Sequence, residues 1–202
     1  MIIKIYPQNP NPRILNHAVE VLRTGGLIVY PTDTVYAIGC DALNVRAVEA
    51  LCTLKGIDAH KSKLSIVCPD LSTISTYAKV SNAAFKLLRR NLPGPFTFIL
   101  PVGARLPKIY RNKKEIGIRI PDNPIARALT QSLGNPLLSM SAHEENEEEE
   151  YFTNPELIEE KLNGRIDIVV DGGKGGNEPS TVVNCIDDTF EIIRQGKGIL
   201  KE

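Results

Sequence analysis

Short apolar runs alternate with amphipathic stretches along the whole chain, and this alternation narrows the possible folds more than any other feature. Met1-Ile2-Ile3-Lys4-Ile5 has a short strand pattern. Residues 13–24 carry helical spacing in Ile14, Leu15, Ala18, Val21 and Leu22, and the pattern stops at Gly25-Gly26, a helix C-terminal signal. Leu27-Ile28-Val29-Tyr30 then reads as a buried strand that ends at Pro31. Asn44 caps a helix through Leu54, and Ser81 caps another that Leu92-Pro93-Gly94-Pro95 breaks. Asn123-Pro124 and Asn154-Pro155 open two more, which Gly134 and Gly164 close. Residues 64–68, 96–100, 116–120, 137–141, 166–170, 181–185 and 190–194 read as strands. Alternating elements pack helices on a sheet, and the closely spaced C-terminal strands make that sheet mixed. Connections are short and no repeat is evident, so the expectation is one α/β domain over residues 1–202.

Composition limits the function classes. A hydrophobic content of 42% and a charged content of 24% suit a soluble globular chain. Aromatic residues make up 5% with no Trp, too few platforms for a binder that stacks single-stranded bases. Formal net charge is zero, but it is unevenly spread. Residues 55–119 hold 13 Lys and Arg against 3 Asp and Glu, whereas residues 144–202 hold 6 against 16. Such a split leaves a basic face for an anionic partner. Cys40, Cys52, Cys68 and Cys185 form no C-x-x-C pair and read as buried reduced thiols. The N-terminus lacks a signal-peptide pattern, and no apolar run approaches the roughly 18 residues of a membrane span. A cytoplasmic protein with no membrane partner is expected.

Ligands of open α/β sheets sit beyond strand ends, where loops present polar groups. Thr32, Asp33 and Thr34 follow Pro31 directly after a buried run; read alone, they also make a proline turn that bonds its own backbone. Lys55 ends a helix and Lys61-Ser62-Lys63 follows, a set that could clamp phosphates, although no G-x-x-x-x-G-K-[ST] is present. A lysine in the last turn also answers the helix dipole. Pro93-Gly94-Pro95-Phe96-Thr97 delivers a threonine onto a strand. Arg119 lies between two isoleucines, so it either pairs with a carboxylate or reads an anion through its planar fork. Ser139 and Ser141 share one strand face. Ser180, Thr181 and Arg194 follow in later segments. His143 beside Glu144–Glu150 reads as a solvated acidic loop, since consecutive carboxylates cannot all face one ion. Gly172–Gly176 lacks dinucleotide-binding spacing and reads as a flexible loop.

Taken in order, Tyr30–Thr34, Lys55, Pro93–Thr97, Arg119–Pro121, Ser139–His143, Ser180–Val182 and Arg194–Gly196 resemble the motifs of the YrdC/YciO family. The resemblance spans nearly the whole chain. It implies a YrdC-like twisted mixed β-sheet flanked by helices, with a large basic cavity on one face. Synthase members of that family make threonylcarbamoyl-AMP from L-threonine, bicarbonate or CO2, and ATP, for threonylcarbamoyladenosine modification of tRNA. By resemblance, Lys55 and Arg119 are catalytic. Lys55, Lys61, Lys63, Thr97, Ser139, Ser141 and Arg194 face ATP. Thr32, Thr34, Arg119, Ser180 and Thr181 hold threonine. Mg²⁺ arrives with the triphosphate, and no protein-built metal site is implied.

The chain departs from the synthase pattern at four places. Ile57 stands where a K-x-R arginine is expected, and Glu115 where a threonine is expected. A histidine after the strand at residues 64–68 is missing, and His143 replaces an asparagine. These departures resemble the YciO branch. The expected activity is therefore that of a threonylcarbamoyl-AMP synthase-like nucleotidyltransferase. The alternative is a factor that binds structured RNA or the ribosome through the basic 55–119 region without synthase activity. A weaker option is a sensor that binds ATP without turnover.

Overall fold

Three Asn-Pro pairs start helices in this chain, because the asparagine oxygen accepts an orphan backbone N–H and the proline needs none. The computed structural model describes residues 1–144 and 146–202. Its strands are β1 (Ile2–Lys4), β2 (Ile28–Tyr30), β3 (Ala37–Asp41), β4 (Ser65–Val67), β5 (Phe96–Pro101), β6 (Glu115–Arg119), β7 (Leu137–Ser141), β8 (Ile168–Asp171), β9 (Thr181–Asn184) and β10 (Glu191–Arg194). Its helices are α1 (Pro12–Arg23), α2 (Val45–Leu54), α3 (Leu71–Tyr77), α4 (Asn82–Asn91), α5 (Lys108–Arg111), α6 (Pro124–Leu133), α7 (Glu150–Thr153) and α8 (Pro155–Leu162). Asn11 Oδ1 accepts from Arg13 N at 3.0 Å, Asn123 Oδ1 from Ile125 N at 3.0 Å and Asn154 Oδ1 from Glu156 N at 3.0 Å. Gly134 closes α6 in the left-handed region, with φ of 78°.

Strands from both halves of the chain meet in one sheet of order β1-β8-β2-β3-β7-β4-β6-β5-β9-β10. Parallel pairs (β1 with β8, β8 with β2, β4 with β6, β5 with β9) occur beside antiparallel ones, which gives the mixed sheet expected from the sequence. Strand β3 is a finding the sequence pattern missed, as are the short helices α3, α5 and α7. They are too short for periodicity to separate from a loop. The acidic stretch runs into α7 at Glu150, and its Glu145 lies outside the described residues.

Residues paired across strands share a face, which sorts the sheet into two sides. One side is apolar throughout: Val29, Ile38, Leu138, Ile66, Ile118, Phe98 and Val183 all pack into the larger core. Leu51 of α2, Leu88 of α4 and Ile158 of α8 cover it. Full burial of each such side chain stabilises by roughly 1.5–3 kcal/mol. The other side is divided. Helices α1 and α6 cover its first half, where Leu22, Ile125 and Leu129 bury Ile28, Tyr30, Ala37 and Leu137. Its second half carries Ser65, Gly117, Arg119, Thr97, Val182 and Arg194, linked by the registers of β4, β6, β5, β9 and β10. Among the described residues, no helix is long and apolar enough to cross a membrane.

Candidate functional site

The uncovered half-face forms a cleft of about 310 Å³, lined by Ser65, Thr97, Ile99, Glu115, Gly117, Val182 and Arg194, together with Lys63 and Leu64 ahead of β4. Strand period two explains the lining. Positions 115, 117 and 119 of β6 all face the cleft, and so does 97 on β5. Gly117 is required here, because a Cβ would lie 2.2 Å from Ser65 Oγ.

At one end, Arg119 closes β6 and is 8% exposed. Its Nη2 donates to Thr34 Oγ1 at 2.9 Å and to Asp33 Oδ1 at 3.1 Å. Thr32 Oγ1 gives its proton to Val35 O at 2.7 Å and accepts the Thr34 N–H at 3.0 Å. The 3.0 Å contact between the two threonine hydroxyls is then donated by Thr34. Protons therefore point one way, from Arg119 through Thr34 and Thr32 to a carbonyl. Such aligned chains polarise one another. Asp33 Oδ2 accepts Asp122 N at 2.9 Å, and Lys197 Nζ donates to Asp33 O at 2.6 Å, so the carboxylate and its loop are held from two further segments. Of the two alternatives read from the sequence, the carboxylate pair is present: Arg119 pairs with Asp33, and its buried Nε has no hydrogen-bond partner.

Thr97 and Ser180 sit in the middle, with their hydroxyls 2.8 Å apart. Arg194 Nη2 donates to Ser180 O at 2.8 Å and lies 3.3 Å from Ser180 Oγ. Burial pushes the Arg194 guanidinium below its ordinary value, and the charge of Arg119 pushes it the same way. Two like charges directed into one space favour an anion between them.

Tyr30 donates to Ser139 Oγ at 2.7 Å. Its ring crosses β3 over Gly39, where a Cβ would meet Tyr30 at 2.7 Å. Burial raises the Tyr30 phenol to about 12, so it stays a donor and leaves the Ser139 proton for another acceptor. Ser141 lies further along the same face of β7 and accepts His143 N at 3.1 Å. Lys55 Nζ reaches His143 O at 3.4 Å; burial lowers its pKa, and nearby Glu144 opposes that shift.

The structure brings Thr32, Thr34, Arg119, Thr97, Ser180 and Arg194 to one region, and it corrects the placement of two other candidates. Thr181 is fully buried on the opposite side of β9, where it donates to Gly198 O at 2.7 Å and accepts Gly196 N at 3.0 Å. Lys61 is 86% exposed and pairs with Asp58 at 3.8 Å, away from the cleft lining. Lys63 does line the cleft, but it pairs with Glu115 at 2.7 Å. Ile57 is half-buried against the larger core and contributes nothing polar. Sequence reasoning missed the tethering of Asp33 by Lys197 and of the glycine-rich loop by Tyr36. The Tyr36 hydroxyl donates to Gly173 O at 2.6 Å and accepts Gly172 N at 3.1 Å. Gly176 rests on the Thr34 backbone, where a Cβ would lie 2.2 Å from Thr34 O. The Tyr36 contact joins segments 136 and 137 residues apart and has no local signal in the sequence.

Among the described residues, no group of three or more His, Cys, Asp or Glu could hold a metal ion. The domain model described as telomere recombination (Sua5, YciO and YrdC) matches residues 20–196. The Escherichia coli protein YciO, described as uncharacterized, is 42% identical over 98% of this chain and 96% of its own length. Its crystal structure superposes with a TM-score of 0.90 over 98% of this chain and 97% of that one, at 39% identity. A putative threonylcarbamoyl-AMP synthase of Methanocaldococcus jannaschii is 36% identical over 96% of this chain and 92% of its own length. P. abyssi Sua5 complexed with L-threonine superposes with a TM-score of 0.87 at 27% identity, over 97% of this chain and 57% of that one. With motifs, topology and relatives in agreement, this chain belongs to the Sua5/YciO/YrdC family.

Proposed function

We propose that the cleft binds L-threonine at its Arg119 end and an adenine nucleotide beside it, and that the chain carries out threonylcarbamoyl-AMP synthase-type chemistry. One observation carries the reading: the buried Arg119 Nε has no partner, although Nη2 of the same guanidinium is held by Thr34 and Asp33. A buried donor left unpaired costs about 1–3 kcal/mol, which a carboxylate ligand would recover. Ser180 and Thr97 offer hydroxyls nearby, and the threonine-bound relative supports the amino acid as ligand.

In this reading the threonine nitrogen adds to CO2 with loss of a proton, or to bicarbonate with loss of water, giving a carbamate. A carbamate oxygen attacks the α-phosphorus of ATP and pyrophosphate leaves. Both reactants are anionic, so Arg119 and Arg194 act by positioning and charge neutralisation. Ser139 and Ser141 offer hydroxyls on the neighbouring strand, and Lys55 lies beyond them. Mg²⁺ would be held by phosphate oxygens and water. The test is release of pyrophosphate from ATP together with formation of threonylcarbamoyl-AMP. The reading expects release only with both L-threonine and bicarbonate present; release indifferent to threonine contradicts it.

A second reading has its own observation. Helix α4 exposes Lys86, Arg89 and Arg90 beside Phe85, a surface suited to the phosphates of a structured RNA. Binding of that kind weakens steeply with salt, and an affinity for a tRNA transcript unchanged between low and high salt contradicts it.

A further inference from the structure

The sheet has two edges, and they are finished differently. Strand β1 is three residues long and carries Lys4, whose side chain is 60% exposed. A short edge with a lysine on it resists further pairing. Strand β10 is the other edge, and every residue of it is exposed. Ile192 and Ile193 stand in its middle, 42% and 54% exposed, between Glu191 and Arg194. Among the described residues, no strand pairs with its outer side.

A bulge sorts these four side chains. Glu191 registers with Asn184, Ile192 with Val183 and Arg194 with Val182, so Ile193 is the extra residue. Val183 packs into the larger core, whereas Val182 lines the cleft. Glu191 and Arg194 therefore share the cleft side, and Ile192 stands on the side of α4. In an unbroken strand, residues three apart would face opposite sides. The order Glu-Ile-Ile-Arg also reverses to Arg-Ile-Ile-Glu. Two such edges laid antiparallel, with a two-fold axis through the isoleucines, bring each Glu191 opposite Arg194 of the other copy on one face.

We infer that β10 pairs with β10 of a second copy of this chain, so that one sheet runs through a two-fold dimer. The contact is isologous and closes at two copies. Its backbone supplies the hydrogen bonds that the free edge lacks. The two Glu191–Arg194 pairs fix the register, because a slip of one residue removes both and turns the side chains to the wrong faces. Arg194 spends Nε and Nη2 on Ser180, which leaves Nη1 for the carboxylate. On the α4 side, a groove of about 450 Å³ runs beside the edge, with Leu87, Phe190 and Leu200 in its wall. The isoleucines of the second copy meet that wall. Because Arg194 lines the cleft, Glu191 of the second copy holds it in place as Asp33 holds Arg119. An edge of four residues makes a small interface, so the dimer dissociates at concentrations on the order of 10 µM.

The test is sedimentation velocity on the full chain from about 1 to about 200 µM. The expected result is a shift from one to two chain masses across that range. Glu191→Arg and Arg194→Glu should each weaken the dimer at least about tenfold, and the double exchange should restore it to within about threefold of wild type. Ile193→Lys, which touches neither charge, should abolish it. Thermal melting shows which variants are folded; if Arg194→Glu is not, Glu191→Arg and Ile193→Lys carry the test. A single chain mass at every concentration overturns the inference. So does a dimer that these variants leave intact, assembly that grows beyond two copies, or a folded double exchange no tighter than the single ones.

Discussion

The two ends of the cleft are built on opposite principles. At the Arg119 end the groups are buried and tethered by three segments, and the buried Arg119 Nε has no hydrogen-bond partner. At the Lys63 end the lysine is 77% exposed and its charge is cancelled by Glu115. Preorganised buried donors give a ligand far more than exposed compensated ones, because water and salt screen the latter. The comparison teaches that the strand end that carries Arg119 holds a preorganised, buried donor set, while the charges at the other end are exposed and already compensated.

Substitutions break the comparison in order of size. Arg119→Lys keeps the charge but loses the planar fork and its Nε, and L-threonine affinity should fall about 100-fold by calorimetry, near 2.7 kcal/mol. An affinity within about threefold of wild type would place the carboxylate elsewhere. Ser180→Ala and Thr181→Val form a paired test of the two sheet faces. The first should weaken L-threonine by about tenfold with little change in stability. The second should leave affinity alone and cost about 1–2 kcal/mol in urea unfolding, through the lost bonds to Gly198 and Gly196. Lys61→Ala, at the exposed end, should change ATP affinity by less than about twofold.

Alkaline pH probes the buried scaffold behind the site. Burial raises Tyr30 and Tyr36 from 10.0 to about 12, and Cys68 and Cys185 from 9.0 to about 12. Each acid loses its proton more readily unfolded than folded, so the unfolded state binds fewer protons as pH rises. Stability should hold up to about pH 9 and fall progressively toward pH 12, followed by thermal melting. Tyr30→Phe should make that fall shallower.

Much of this was legible in the sequence, for identifiable reasons. Asn-Pro pairs wrote the starts of α6 and α8, and apolar runs marked most strands. Strand β3 was hidden because Gly39 interrupts it, and the reason for that glycine, the Tyr30 ring, lies on another strand. Ser180 and Thr181 are neighbours on one chain segment, yet only one can face the cleft, because strand side chains alternate. Ser180 does so, and Thr181 serves the opposite side. The Lys63–Glu115 pair joins residues on two different strand ends and has no local signal. The identity of Arg119 as both paired and incomplete also needed coordinates, since one unsatisfied nitrogen has no signature in sequence.

The central claim is that Arg119 waits for an amino-acid carboxylate. Titration of the wild-type protein with L-threonine and with L-threoninol, which keeps the amine and hydroxyl but lacks the carboxylate, tests it most directly. The account predicts that L-threonine binds at least about 100-fold more tightly than L-threoninol. Equal affinity for the two would contradict it.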